Sequence, residues 1–178
     1  MAVILKQSDV EVYRNISNNF DQDKFDAFAL EVQETTLREL LRDPLYYQLV
    51  NDLDGNGDPQ TQRFIDLVNG KAYTYDNETI QYYGLKPYLA YHWLALNLRE
   101  GDYFAADYGN IQFSSNEQDN MTKITDERID RINSGYYKKI TSYRNNIVQY
   151  LNEEDGTYPE WEGRSGNKPK DSFNILTT

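Results

Sequence analysis

The sequence predicts a mainly α fold: a small helical bundle of about five helices, with one short β-hairpin and one long loop. Three observations carry this. Apolar residues recur at helical spacing in several separate stretches; one pair of aromatic, β-branched runs flanks a turn; and residues 101–125 show no sustained period. At 178 residues the chain is the size of one domain. Its organisation reads as a helical domain over 1–152 and a C-terminal tail over 153–178.

Ser8-Asp9-Val10-Glu11 has the form of a capping box opening a short helix. A second start lies at Asn19 to Asp21, followed by Phe25, Phe28, Ala29, Val32, Thr36, Leu40 and Leu41 on one stripe. That helix should stop at Asp43-Pro44, because the residue before proline avoids the α region. Pro44 then suits the first turn of a helix over Leu45 to Leu53. A turn-rich Asp54-Gly-Asn-Gly-Asp-Pro59 follows, then a short helix from Gln60 to Val68 closing at Asn69-Gly70. Ala72–Tyr75 and Thr79–Tyr83 flank Asp76-Asn-Glu78, so a hairpin is expected near 72–83. Leu85 to Arg99 is apolar on most sides and therefore central. A long last helix is expected from Asp126 to Asn152, with Ile129, Ile132, Tyr136, Ile140, Tyr143, Ile147 and Leu151 as its stripe.

Composition excludes several functions. There is no cysteine, which removes disulfides, thiolate zinc sites and cysteine nucleophiles, and suits a reducing cytoplasm. The apolar run near Met1 is shorter than a signal sequence needs, so export is not expected, nor is a membrane span. The net charge is −11, and residues 43–122 hold twelve acids against four bases. Between Glu100 and Thr122 there are five acids and no base. Such a surface repels phosphates, so specific binding of nucleic acid is not expected. Sixteen tyrosines exceed what one small core would ordinarily use, and some should face protein partners.

Each candidate for chemistry has a plainer reading. Asp52-Leu-Asp54-Gly-Asn56-Gly-Asp58 matches the start of an EF-hand loop, with Asp52, Asp54, Asn56 and Asp58 as weak candidate metal ligands. Arg63 stands where the bidentate glutamate would be, so a glycine-rich interhelical turn is expected instead. His92 is the single histidine and lies in the stripe Leu85–Leu89–His92–Leu96, as a hydrogen-bonded core or interface residue would. With twenty-nine carboxylates some pairs must lie close, so pairs alone do not argue for a hydrolase. No enzyme activity and no cofactor is expected. Tyr158-Pro-Glu-Trp161 places two large aromatics in a polar tail, where they either pack back on their own domain or anchor a neighbour.

The order of these features resembles the head-to-tail connector (adaptor, or neck ring) proteins of tailed bacteriophages, of the kind found in phages of gut Bacteroidetes. The matching features run from the short first helix and the aromatic-rich second to the Leu-rich helix ending at Asn69-Gly70. They continue through the aromatic hairpin entering Gly84-Leu85-Lys86, the Tyr/Ala-rich helix Tyr88 to Leu98, the polar loop, the long last helix and Tyr158-Pro-Glu-Trp161. The sequence departs from the pattern at Gly109-Asn-Ile-Gln112, where a lysine would follow the apolar residue.

The resemblance implies a virion protein, made in the host cytoplasm and built into the head-tail neck. Residues 1–152 would be the connector domain. Copies of the chain, implied to be twelve, would form a ring that binds the portal protein and other neck or tail proteins. That ring would extend the channel through which DNA passes without sequence-specific contact. Interface candidates are Phe104, Ile111, Phe113, Tyr158 and Trp161; channel-facing candidates are Asp102, Asp107, Glu117 and Asp119. The alternative is a non-enzymatic protein-binding or calcium-dependent surface module.

Overall fold

A computed structural model of the chain describes residues 2–14, 21–100, 111–113, 121–123 and 126–163. It is mainly helical, as expected. The order is α1 (Gln7–Glu11), α2 (Gln22–Val32), a π-helical turn (Gln33–Leu37), α3 (Arg38–Asp52), α4 (Gln62–Asn69), β1 (Lys71–Tyr75), β2 (Glu78–Tyr82), α5 (Lys86–Glu100), β3 (Ile111–Phe113), β4 (Met121–Lys123) and α6 (Asp126–Glu153).

The start of α1 lies earlier than Ser8. Lys6 is the N-cap, and its amide donates to the Asp9 carboxylate at 3.0 Å. Ion pairs fix this position: the Lys6 ammonium lies 2.7 Å from Asp58, and Lys86 lies 3.1 Å from Asp9. At α2 the expectation holds. Asp21 caps the helix by accepting from the amides of Asp23 and Lys24.

Between α2 and α3 the helix widens to π geometry over Gln33–Leu37. Thr35 and Thr36 turn their hydroxyls onto the carbonyls of Glu31 and Val32, which competes with the regular ladder. The widened turn carries Gln33, buried at 1% exposure. Its amide clamps the N-terminal segment, donating to Ala2 O at 3.0 Å and accepting from Ile4 N at 2.9 Å.

The break expected at Asp43-Pro44 falls one residue earlier, at Arg42, with φ 65° and ψ 161°. Arg38 reaches across it to Asp43 at 2.7 Å. Pro44 therefore sits in the first turn of the second half of α3, where its missing N–H costs nothing.

Gly70 closes α4 with φ 85°. The first hairpin turns on Asp76 and Asn77, both at positive φ, the two-residue geometry that matches strand twist. Its register pairs Lys71 with Tyr82 and Tyr75 with Glu78. The next turn ties α5 to α4, since the Leu85 amide donates to the carbonyls of Leu67 and Val68.

Helix α5 is the axis of the molecule. Trp93 tilts against Phe25 of α2 at 4.8 Å and donates its indole N–H to the Phe25 carbonyl. Tyr91 packs on Tyr136 and Tyr143 of α6, each at 5.9 Å between ring centres. Positions 91 and 93 lie about 200° apart around a helix, so α2 and α6 flank α5 on roughly opposite sides. Burying each large side chain here contributes roughly 1.5–3 kcal/mol.

Two expectations are corrected. Residues 101–125 are not loop throughout, because Ile111–Phe113 pairs antiparallel with Met121–Lys123, Phe113 opposite Met121. Ile-Gln-Phe is too short to register as an alternating run in the sequence. The domain also does not end at 152. Residues 153–163 fold back on the bundle, and Tyr158 is fully buried.

Candidate interaction surfaces

Tyrosine builds much of the core. Tyr46, Tyr73, Tyr82, Tyr88, Tyr91, Tyr150 and Tyr158 are all buried. Tyr82 stacks on Tyr150 at 3.9 Å and 5° between planes, and Tyr73 and Tyr158 meet Tyr150 edge-on. Their hydroxyls find partners inside the fold, as buried phenols must. Tyr82 donates to Leu67 O at 2.8 Å, Tyr73 donates to Glu153 Oε2, and the Tyr150 and Tyr158 hydroxyls lie 3.1 Å apart. Burial raises the pKa of Tyr82, Tyr73 and Tyr158, most directly by desolvating the phenolate. The sequence expectation that the tyrosine excess faces partners therefore applies to a smaller set. Among the described residues, Tyr47, Tyr75, Tyr83 and Tyr137 are the exposed ones, at 43%, 50%, 55% and 42%.

Tyr158 is thus not an available anchor for a neighbour. Its ring is enclosed by this chain because the turn over Glu154–Thr157 reverses the polypeptide at the end of α6. Trp161 is half-buried against the same core and donates Nε1–H to Asn152 Oδ1 at 2.8 Å. Phe104, Asp102, Asp107, Glu117 and Asp119 lie outside the described residues. Of the remaining interface candidates, Ile111 and Phe113 are placed in strand β3.

The Asp52–Asp58 segment is a self-contained turn. Asp52 Oδ2 accepts from the amides of Gln60 and Thr61, at the start of α4. Asp54 Oδ1 accepts from the amides of Asn56 and Asp58, which holds its carboxyl below the usual range. Both oxygens of Asp58 receive the Lys6 ammonium. Gly57, at φ 82°, is buried where an added Cβ would run into the Val3 carbonyl. No group of three or more metal-ligating side chains occurs among the described residues. Arg63 has its own work in the fold, pairing with Glu160 at 3.1 Å and donating to Gln48 Oε1 at 2.6 Å.

His92 departs from the expectation of a hydrogen-bonded histidine. It meets Tyr88 edge-on at 4.6 Å, and its buried Nε2 has no hydrogen-bond partner. Burial pushes its pKa down to about 4. It lines a groove of about 170 Å³ with Glu31, Thr35, Thr36, Arg99 and Tyr137, between α2 and α6. The neutral ring suits packing there; among the described residues none hydrogen-bonds its Nε2 to hold the orientation a general base would require.

Charge is unevenly distributed among these elements. Lys6, Arg38, Arg63, Lys71 and Lys86 each pair with an acid. Arg131, Lys138, Lys139 and Arg144 of α6 form no ion pair with any described acid. No described helix is long and apolar enough to cross a membrane.

No curated protein and no solved structure gives a significant match to this chain. The profile of a Family of unknown function (DUF6712) matches residues 37–171, from α3 to beyond the Trp161 turn. That span is most of the sequence, and the chain belongs to this family.

Proposed function

We propose that the chain is a structural subunit of the head-to-tail connector ring of a tailed bacteriophage, acting through surfaces and not as an enzyme. What supports the reading is the resemblance of the sequence's features to such connectors, from the short first helix to Tyr158-Pro-Glu-Trp161. The side chains most able to do chemistry support it. Asp52, Asp54 and Asp58 hold a turn together, and His92 packs edge-on against Tyr88.

On this reading the ring binds the portal protein on one side and further neck or tail proteins on the other. DNA passes through it without specific contact. The run from Glu100 to Thr122, with Asp102, Asp107, Glu117 and Asp119, supplies negative charge suited to a channel that must let phosphates slide.

Electron microscopy of the purified chain with the portal protein of its parent particle tests the reading. Ring-shaped particles seated on the portal are expected; a chain that neither closes into rings nor binds the portal would overturn it. Replacing the four acids by lysine should allow rings to form but impair DNA passage, with the defect easing at high salt.

A further inference from the structure

The outward face of α6 carries a basic stripe in an otherwise acidic protein. From Arg131 to Asn152 the sequence holds four bases and no acid. Arg131 and Lys138 lie seven residues apart on the exposed line of the helix, with Ser134, Asn145 and Gln149 between and beyond them and Lys139 beside it. The apolar residues Ile140, Ile147 and Leu151 point the other way, into the core. Tyr137, exposed at 42%, flanks the stripe. Arg99 sits over its ring at 5.9 Å.

A second exposed face has the opposite sign. Along α2 and the π turn, Asp23, Asp26, Glu31 and Glu34 are all exposed, while Phe25, Ala29 and Val32 face inward. Lys24 is the one base between Asp21 and Glu34. Helices α2 and α6 pack on α5 through different residues, Trp93 and Tyr91, and the two charged faces come near each other only at the His92 groove, where Glu31 and Tyr137 both line the wall. No ion pair joins Asp23, Asp26, Glu31 or Glu34 to Arg131, Lys138, Lys139 or Arg144 within the chain.

We infer that these faces are the two halves of one interface: the basic stripe of α6 docks on the acidic face of α2 in the next copy of the chain. Taking a second copy as the partner rests on the ring-subunit reading above. A face that meets a different face is heterologous, and repetition about an axis closes a ring or, failing closure, extends a filament. Complementary charge supplies register and speeds encounter, and the half-exposed Tyr137 is the aromatic such an interface needs near its charged rim. DNA is the poorer partner. The stripe offers few cations, and the rest of a chain of net charge −11 would repel phosphates.

Two charge-reversed variants test the inference, Lys138→Glu with Lys139→Glu and Asp23→Lys with Asp26→Lys. All four side chains are exposed and outside the core, and matching thermal melts confirm that each variant is folded. Sedimentation should show the native chain self-associating, more weakly as salt rises. Each variant alone should need about a hundredfold higher concentration to associate, since like charges then face each other. Mixed, the two variants meet through complementary faces at both junctions, native against native and reversed against reversed, so association should return with the two variants alternating. All four reversals in one chain should restore association.

Variants that associate like the native chain, a mixture that stays monomeric, or a native chain monomeric at millimolar concentration in low salt would overturn the inference. So would an α6 variant that loses only binding to a DNA duplex. Portal-bound rings indifferent to these charges would remove this interface and leave the ring reading standing. Open chains built through this interface, without portal binding, would do the reverse.

Discussion

The hydroxyl of Tyr158 donates to the main-chain carbonyl of Arg63 at 2.6 Å, joining two residues 95 positions apart in the sequence. The same hydroxyl lies 3.1 Å from that of Tyr150, and the Arg63 side chain returns to Thr157 O and Glu160. The segment after α6 is thus a structural clasp over α4. Tyr158→Ala should lower stability by about 3–5 kcal/mol, as loss of a buried aromatic does. Tyr158→Phe, which keeps the ring and loses the hydroxyl's bonds, should cost about 1–2 kcal/mol. Truncation after Glu154 should match or exceed the alanine variant. Chemical denaturation measures all three, and a truncated chain of native stability would show the clasp to be idle.

A second clasp depends on two glycines. Gly70 and Gly84, at φ 85° and 83°, face each other where the chain leaves α4 and enters α5. A Cβ on Gly70 would lie 2.5 Å from Tyr82 O, and one on Gly84 would lie 2.5 Å from Val68 O. Both neighbours are backbone and cannot rotate away. Gly84→Ala and Gly70→Ala should each cost well over the ~1 kcal/mol of an unfavourable φ alone. The expected accompaniment is loss of the Leu85 amide's protection from hydrogen exchange, because that amide bonds α4 beside the contact. Alanine variants with native melting temperature and protection would refute this.

The Asp52–Asp58 turn should ignore calcium. Its carboxylates already receive main-chain amides and the Lys6 ammonium, and Arg63 occupies the place of the bidentate ligand. Asp54→Ala should therefore lower the melting temperature equally in calcium and in chelator, through loss of two amide bonds. A calcium-dependent rise of several degrees that vanishes in this variant would restore the metal reading.

Those outcomes follow the boundary between what was legible in the sequence and what was not. Local signals worked: Asp21 capped its helix, Asn69-Gly70 closed one, and Asp76-Asn77 turned the hairpin, because each depends on backbone chemistry within a few residues. Tertiary choices did not show. The π turn needs Gln33 to find Ala2 and Ile4, and Tyr158 could be placed only once Arg63 and Tyr150 were beside it. Which tyrosines are exposed did not show either, since hydroxyls such as that of Tyr82 found carbonyls inside the fold. The stripe on α6 was present in the sequence, but the balance of nine acids and nine bases after residue 122 hid it, and only the acid-free run from Arg131 to Asn152 sets the bases apart.

His92 supplies the last prediction, a pH dependence of known sign. Its pKa in the folded chain is about 4, because burial against Tyr88 disfavours the charged ring. In the unfolded chain it returns to near the ordinary 6.5. Between these values the unfolded state binds a proton that the folded state refuses. Stability from this group is therefore fully present above about pH 6.5 and is lost as pH falls toward 4, by at most about 3 kcal/mol. The chain carries twenty-nine carboxylates, so the curve of the native chain alone would mix several groups. His92→Phe isolates the effect, since it keeps an aromatic ring beside Tyr88 and removes the titration and the unpaired Nε2. Denaturation of both proteins from pH 7 to pH 4 should show the native chain losing more stability than the variant, the gap opening below pH 6.5. Parallel curves would show that His92 takes up its proton as readily folded as unfolded, and that burial in the groove does not govern it.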